Sequence, residues 1–220
     1  MQETDVQTIE LFCGTKSFSK VAASYGYATF TVDNDASHDP DLVTDILMLS
    51  SRRLPSSPSI LWASPPCQTF SVLSISRYWN ADGTPKTLVG HRLVAKTLGL
   101  IIELNPTWWF IENPRGMLRT VHWFDDAVRR LGGNRRTISY CQYGDTRQKP
   151  TDIWTNARWW KAKRPCAPGD PCHERVGRFG TQQYAHGTVG LKTARERSRI
   201  PPDLFTEIFS TLKDHANDNR

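Results

Sequence analysis

Short apolar runs separated by polar turns recur along the first two thirds of the chain. Residues Thr8 to Cys13 read as a buried strand that breaks at Gly14, Ser17 to Tyr25 as a short helix, and Ala28 to Val32 as a second strand ending on Asp33-Asn34-Asp35. Alternation resumes at Thr44 to Leu47, the Pro/Ser-rich stretch Leu54 to Ser59 is a connector, and Ile60 to Ala63 is a strand stopped by Pro65-Pro66. Ser71 to Thr87 has no useful period and reads as a long loop. Leu88, Val89, Leu93, Val94, Leu98, Ile101 and Ile102 fall at helical spacing before Asn105-Pro106 ends the run. Trp108 to Ile111 is the next strand and Trp123 to Leu131 the next helix. Thr137 to Tyr143 and Asp152 to Thr155 form a strand pair, and Glu207 to Leu212 a short closing helix. This alternation predicts an α/β fold, a doubly wound Rossmann-like sheet, with Gly14, Asp33, Cys67 and Glu112 at the strands' carboxyl edges, where such folds hold ligands. Residues 157–191 break the pattern and read as a small basic insertion within one domain formed by 1–156 and 192–220.

Charge sharpens this picture. The net charge is +6, and Arg129, Arg130, Arg135, Arg136, Arg147, Lys149, Lys161, Lys163 and Arg164 cluster in the second half, which favours a polyanionic partner but equally describes a solvated basic face. Five cysteines, an odd number without a dense framework, fit a reducing compartment, and no apolar run is long enough to span a membrane. A cytoplasmic monomer is expected.

Three polar segments at strand ends carry candidate chemistry. Gly14 is followed roughly 20 residues later by Asp33, the spacing of a nucleoside site, though a tight turn and a surface aspartate read the same way. Ser64-Pro65-Pro66-Cys67-Gln68 presents a thiol on a rigid backbone, where an inert core cysteine is uncommon. Glu112-Asn113-Pro114 places a carboxylate beside the same crevice, or caps the next helix.

In this order the segments resemble the cytosine-C5 DNA methyltransferase family. Leu11-Phe12-Cys13-Gly14 resembles its cofactor motif, Pro66-Cys67-Gln68 its catalytic motif, and Glu112-Asn113 its Glu-Asn-Val motif with Pro114 in place of Val. Gln142 to Lys149 resembles its tyrosine-glycine turn with spaced basic residues, and Ala194 to Pro201 the stretch after its target-recognition region. The chain departs from the family at Gly14-Thr15-Lys16-Ser17, where Gly-x-Gly-Gly is usual, and at Thr151, which replaces an arginine. The closing Asn-x-Val segment has no match.

The resemblance implies S-adenosylmethionine as cofactor, held by Phe12, Gly14, Phe18, Asp33, Asp45 and Pro65. It also implies a catalytic set of Cys67 as nucleophile, Glu112 on the cytosine ring, Asn113 orienting Glu112, and Arg147 as the cation that favours the thiolate. Double-stranded DNA is the implied partner, contacted through Gln68, Ser71, Arg77, Lys149 and Gln182, with Trp79 as a wedge and Lys86 on a phosphate. The short insertion implies a short recognition context, with Gln182 and Gln183 as candidates for base edges. An RNA-directed branch and a catalytically silent binding protein share these motifs. No metal site is expected: the C-x5-C-H pattern of Cys166, Cys172 and His173 is unlike common zinc modules and reads as separate reduced cysteines.

Overall fold

The computed structural model describes residues 7–167, 170–173, 175–178, 181–184, 193, 196 and 198–218. Strands β1 (Gln7–Leu11), β2 (Ala28–Asp33), β3 (Leu42–Val43), β4 (Ile60–Ala63), β5 (Trp108–Pro114), β6 (Asn134–Ser139) and β7 (Pro150–Thr155) form one sheet in the order β3-β2-β1-β4-β5-β7-β6. Pairing is parallel from β3 through β5, and β7 runs antiparallel between β5 and β6. The chain builds outward from β1 to β3 and then restarts at β4 on the other side of β1. The crevice between the carboxyl ends of β1 and β4 is therefore the topological switch point.

Helices α3 (Val89–Leu104) and α4 (His122–Arg130) cover one face, packing Val94, Leu98, Ile101, Phe124 and Val128 onto Ile9, Leu61 and Ile111. On the other face α1 (Ser17–Ser24) and α5 (Pro202–Asp218) bury an aromatic cluster in which Phe18 stacks on Trp62 at 5.7 Å and both meet Phe205. The closing helix is longer than its apolar pattern predicts, because polar positions at both ends continue the turn. Ala157 and Trp160 are fully buried in the same cluster, and the Trp160 indole donates to Glu207, so the chain stays in the core past residue 157.

Thr44 to Leu47 forms no strand. Asp45 accepts from the Leu47 amide and starts a 3-10 turn, a local side-chain bond that competes with the sheet. The loop after Cys67 holds a short helix, α2 (Ile75–Tyr78), and Trp79 pairs with Pro85. Strands β8 (Arg175–Arg178) and β9 (Thr181–Tyr184) make a separate hairpin. No described helix is long and apolar enough to cross a membrane.

The first turn of α1 has no capping side chain of its own, and buried Glu10 on β1 accepts the Phe18 and Ser19 amides instead. Burial outweighs these bonds and pushes the Glu10 carboxyl up to about 7. A carboxyl raised on folding adds stability that is complete below its unfolded value near 4.5 and is lost as pH rises through 7. Glu10→Gln is therefore expected to gain up to about 3 kcal/mol on the wild type between about pH 5 and pH 8. Thermal unfolding of both proteins across that range checks this; parallel pH profiles would contradict it.

Candidate active site

The loop after β1 bends back sharply. Phe12, Gly14 and Lys16 all take positive φ (57°, 45° and 54°), so the turn carries left-handed backbone at two side-chain-bearing positions. Lys16 stands where the resembling family has glycine. It holds that conformation with its ammonium on the carbonyl and carboxylate of Asp39. At the end of β2, Asp33 accepts the Gly14 amide at 2.9 Å on one oxygen and the Asp35 amide at 3.0 Å on the other, which locks the two loops together.

Between these loops lies a cavity of about 230 Å³ lined by Phe12, Asp33, Asp45, Ile46, Pro66 and Leu93, among others. It combines apolar walls with two carboxylates whose oxygens keep lone pairs beyond the backbone bonds they accept. Gly14 touches it only through its bond to Asp33, and Pro66, not Pro65, faces it. The expectation for Phe18 is corrected: its ring is fully buried among Trp62, Phe205 and Phe209 behind the sheet, because its position in α1 faces the core.

Two prolines carry the chain from β4 into a tight turn in which the Cys67 carbonyl accepts the Phe70 and Ser71 amides. Close packing holds this turn from two sides. A Cβ on Gly116 would stand 2.1 Å from the Phe70 carbonyl oxygen, and one on Gly90 would stand 2.6 Å from the Thr69 Cβ. Trp79 completes the clamp. It is buried, and its indole donates to the Thr69 carbonyl at 2.6 Å, so it ties down the loop and does not act as an exposed wedge. Lys86 likewise donates back to the Ser76 carbonyl, and Arg77 lies over the Tyr78 ring, with Gln68 and Arg77 exposed and Ser71 half-buried. The exposed apolar side chains of this loop are Val72, Leu73 and Ile75.

Beside Cys67, buried Glu112 accepts the Tyr140 hydroxyl at 2.8 Å and interacts with Ser64, whose own hydroxyl accepts the Trp62 indole. Burial is the main cause that raises the Glu112 carboxyl, with Asp152 adding to it; Lys149 and the hydroxyl partners pull it down. Burial and then Glu112 raise the Cys67 thiol, and Lys149 lowers it. Lys149, itself buried with its ammonium over the Tyr140 ring at 4.7 Å, is thus the cation coupled to both groups. Arg147, expected in that role, is gripped by Asp145 through both its guanidinium and its amide. Asn113 also differs from expectation: its amide donates to the Pro65 carbonyl at 2.9 Å, so it fastens the Cys67 turn to β5 and does not orient Glu112.

Tyr140 is the site residue that the sequence concealed, since it sits where a strand was expected to continue and the chain instead turns at Ser139. Gln182 lies on β9, and its side chain falls outside what is described, as do residues 194, 195 and 197.

Lys149→Met is expected to push the Cys67 thiol further up, so that any thiolate-dependent activity begins at higher pH than in the wild type. A pH-rate profile of both proteins checks this; an unmoved acidic limb would remove Lys149 from the site's electrostatics.

A switch-point cavity with two acids, next to a proline-presented thiol and a buried carboxylate, is the arrangement expected of a Rossmann-like methyltransferase. Comparison with known proteins gives the same result. No family model matches the chain. It is 27% identical, over 93% of its own length and 99% of the other's, to the probable DNA (cytosine-5)-methyltransferase of Frog virus 3 (isolate Goorha). In fold it is similar to the Entamoeba histolytica methyltransferase EhMeth (TM-score 0.51, 14% identity, 74% of this chain) and to the S. pombe Dnmt2 methyltransferase (TM-score 0.51, 14% identity, 77% of this chain). It spans 57% of the length of each of these two structures. The chain is thus similar, over nearly its whole length, to a viral cytosine-C5 methyltransferase, and it shares its fold with solved methyltransferases.

Proposed function

We propose that the protein is a DNA (cytosine-5-)-methyltransferase that modifies a cytosine turned out of the duplex, with Cys67 as nucleophile. The observation that carries this reading is the grouping, beside the Cys67 turn, of Glu112 on the Tyr140 hydroxyl at 2.8 Å and Lys149 over the Tyr140 ring at 4.7 Å, both of which act on the thiol.

The cavity suits S-adenosylmethionine: Phe12, Ile46, Pro66 and Leu93 offer walls for a purine, and Asp33 and Asp45 offer acceptors for hydroxyl and amino donors. Bound there, that cofactor supplies the electrophilic methyl group. Carbon 5 of cytosine is a weak nucleophile until a thiolate adds at carbon 6. Lys149 favours the thiolate of Cys67, and Glu112, whose burial favours the protonated carboxyl, is the group that would donate to N3 as charge builds on the ring. Tyr140 and Ser64 hold the Glu112 carboxyl in place, and Asn113, Gly116 and Trp79 hold the turn that carries Cys67. Loss of the carbon 5 proton and elimination then release Cys67.

A base stacked in a duplex cannot enter such a crevice, and extruding it costs a few kcal/mol. Val72 and Leu73, exposed on the loop that follows Cys67, are placed to fill the gap it leaves. DNA as substrate is supported by the net charge of +6 and by the name of the viral relative. Incubation with labelled cofactor and either duplex DNA or tRNA tests this: label in DNA is expected, and label in tRNA alone would move the enzyme to the RNA-directed branch.

A further inference from the structure

Four side chains from two distant stretches of sequence converge at the start of the basic insertion. Cys141, in the turn after β6, meets Cys166, Cys172 and His173, and their donor atoms all lie within 4.8 Å of one another. Cys172 Sγ is 3.5 Å from Cys141 Sγ and 3.4 Å from Cys166 Sγ, and His173 Nδ1 is 3.4 Å from Cys166 Sγ and 3.6 Å from Cys172 Sγ. All three cysteines are free thiols. A disulfide would bring two sulfurs to about 2.0 Å and strand the third. A tetrahedral zinc site with Zn–S bonds of about 2.3 Å spaces its sulfur donors about 3.8 Å apart, close to what is seen.

From this geometry we infer that Cys141, Cys166, Cys172 and His173 form a structural zinc site of Cys3His type that staples the insertion to the catalytic domain. Four protein donors close the coordination shell, which is the mark of a structural and not a catalytic zinc. The expectation of separate reduced cysteines is revised because the fourth donor, Cys141, lies 25 residues before Cys166 and is invisible in the local C-x5-C-H pattern.

The surroundings are built to hold the donors. Asp170, between Cys166 and Cys172, accepts the Ala167 amide at 2.8 Å and takes both ends of the Arg164 guanidinium, which shapes the turn. Gln142 donates to Cys172 Sγ at 3.3 Å, and the Cys166 amide donates to the Ser139 hydroxyl at 3.0 Å. Such outer contacts orient the donors and satisfy thiolate charge. Cys141 also directly follows Tyr140, the partner of Glu112, so the metal would hold together the insertion and the turn that supports the catalytic carboxylate.

The site is independent of the methyltransferase reading and is tested without activity. Elemental analysis of full-length protein purified without added metal is expected to find about one zinc per chain. Chelation should lower the unfolding temperature and expose three further thiols to a thiol reagent, and cobalt added to the stripped protein should give the visible absorption of a tetrahedral thiolate site. Cys67→Ser should keep its zinc, whereas Cys141→Ser and Cys172→Ser should lose it. Zinc-free wild-type protein whose stability and absorbance do not respond to zinc or cobalt would overturn the inference, as would zinc retained in full by both Cys141→Ser and Cys172→Ser. The wild-type measurements decide the matter even if a variant does not fold.

Discussion

Cys67→Ser is expected to fold normally, to keep its cofactor affinity and to lose methyl transfer by roughly 10⁴-fold or more. The turn that presents residue 67 is held by its backbone carbonyl and by the packing of Gly90, Gly116 and Trp79, none of which involves the thiol. The cavity is lined by Pro66 but not by Cys67, so cofactor binding is spared. What is removed is the thiol whose anion Lys149 favours, since a serine hydroxyl there stays protonated. Turnover with labelled cofactor, together with the unfolding temperature and calorimetric cofactor binding, checks all three parts. Residual turnover within tenfold of wild type would mean that Cys67 is not the nucleophile.

The second large effect is expected for Glu112→Gln, with kcat lower by roughly 10² to 10⁴ and cofactor affinity nearly unchanged. Glutamine keeps an oxygen for the Tyr140 hydroxyl and fills the same buried volume, so packing is preserved. It cannot deliver a proton to N3. Burial raises the Glu112 carboxyl, which favours its protonated form, and burial also raises Cys67, so the same environment serves one group and opposes the other. Lys149 is the compromise between them, lowering both. Single-turnover methyl transfer at saturating cofactor measures the effect, and near-normal rates would withdraw Glu112 from cytosine activation.

Much of this architecture is legible in the chain. The strands that lead to Asp33, Cys67 and Glu112 announce themselves by short apolar runs followed by polar or proline residues, and the spacing of Val94, Leu98 and Ile101 gives α3 its buried face. What stayed hidden depends on contacts between segments. Two cations two residues apart look alike until Asp145 captures Arg147 and the Tyr140 ring receives Lys149. Trp79 reads as an exposed loop aromatic until the Thr69 carbonyl takes its indole proton. Phe18 follows the glycine turn closely enough to suggest a ligand contact, but α1 rotates it to the opposite face of the sheet. Cys141 has no local signature at all; only the return of the chain after β7 brings Cys166, Cys172 and His173 to it.

The central claim, covalent addition of Cys67 to a cytosine ring, is tested most directly by duplex DNA carrying 5-fluorocytosine. Fluorine at carbon 5 cannot leave as a proton does, so the adduct formed after methyl transfer cannot resolve. With cofactor present, the account predicts a denaturant-resistant protein–DNA complex whose cross-linked peptide, mapped by mass spectrometry, is attached through Cys67, and no such complex for Cys67→Ser. Active protein that forms no adduct, or an adduct on any other residue, would contradict it.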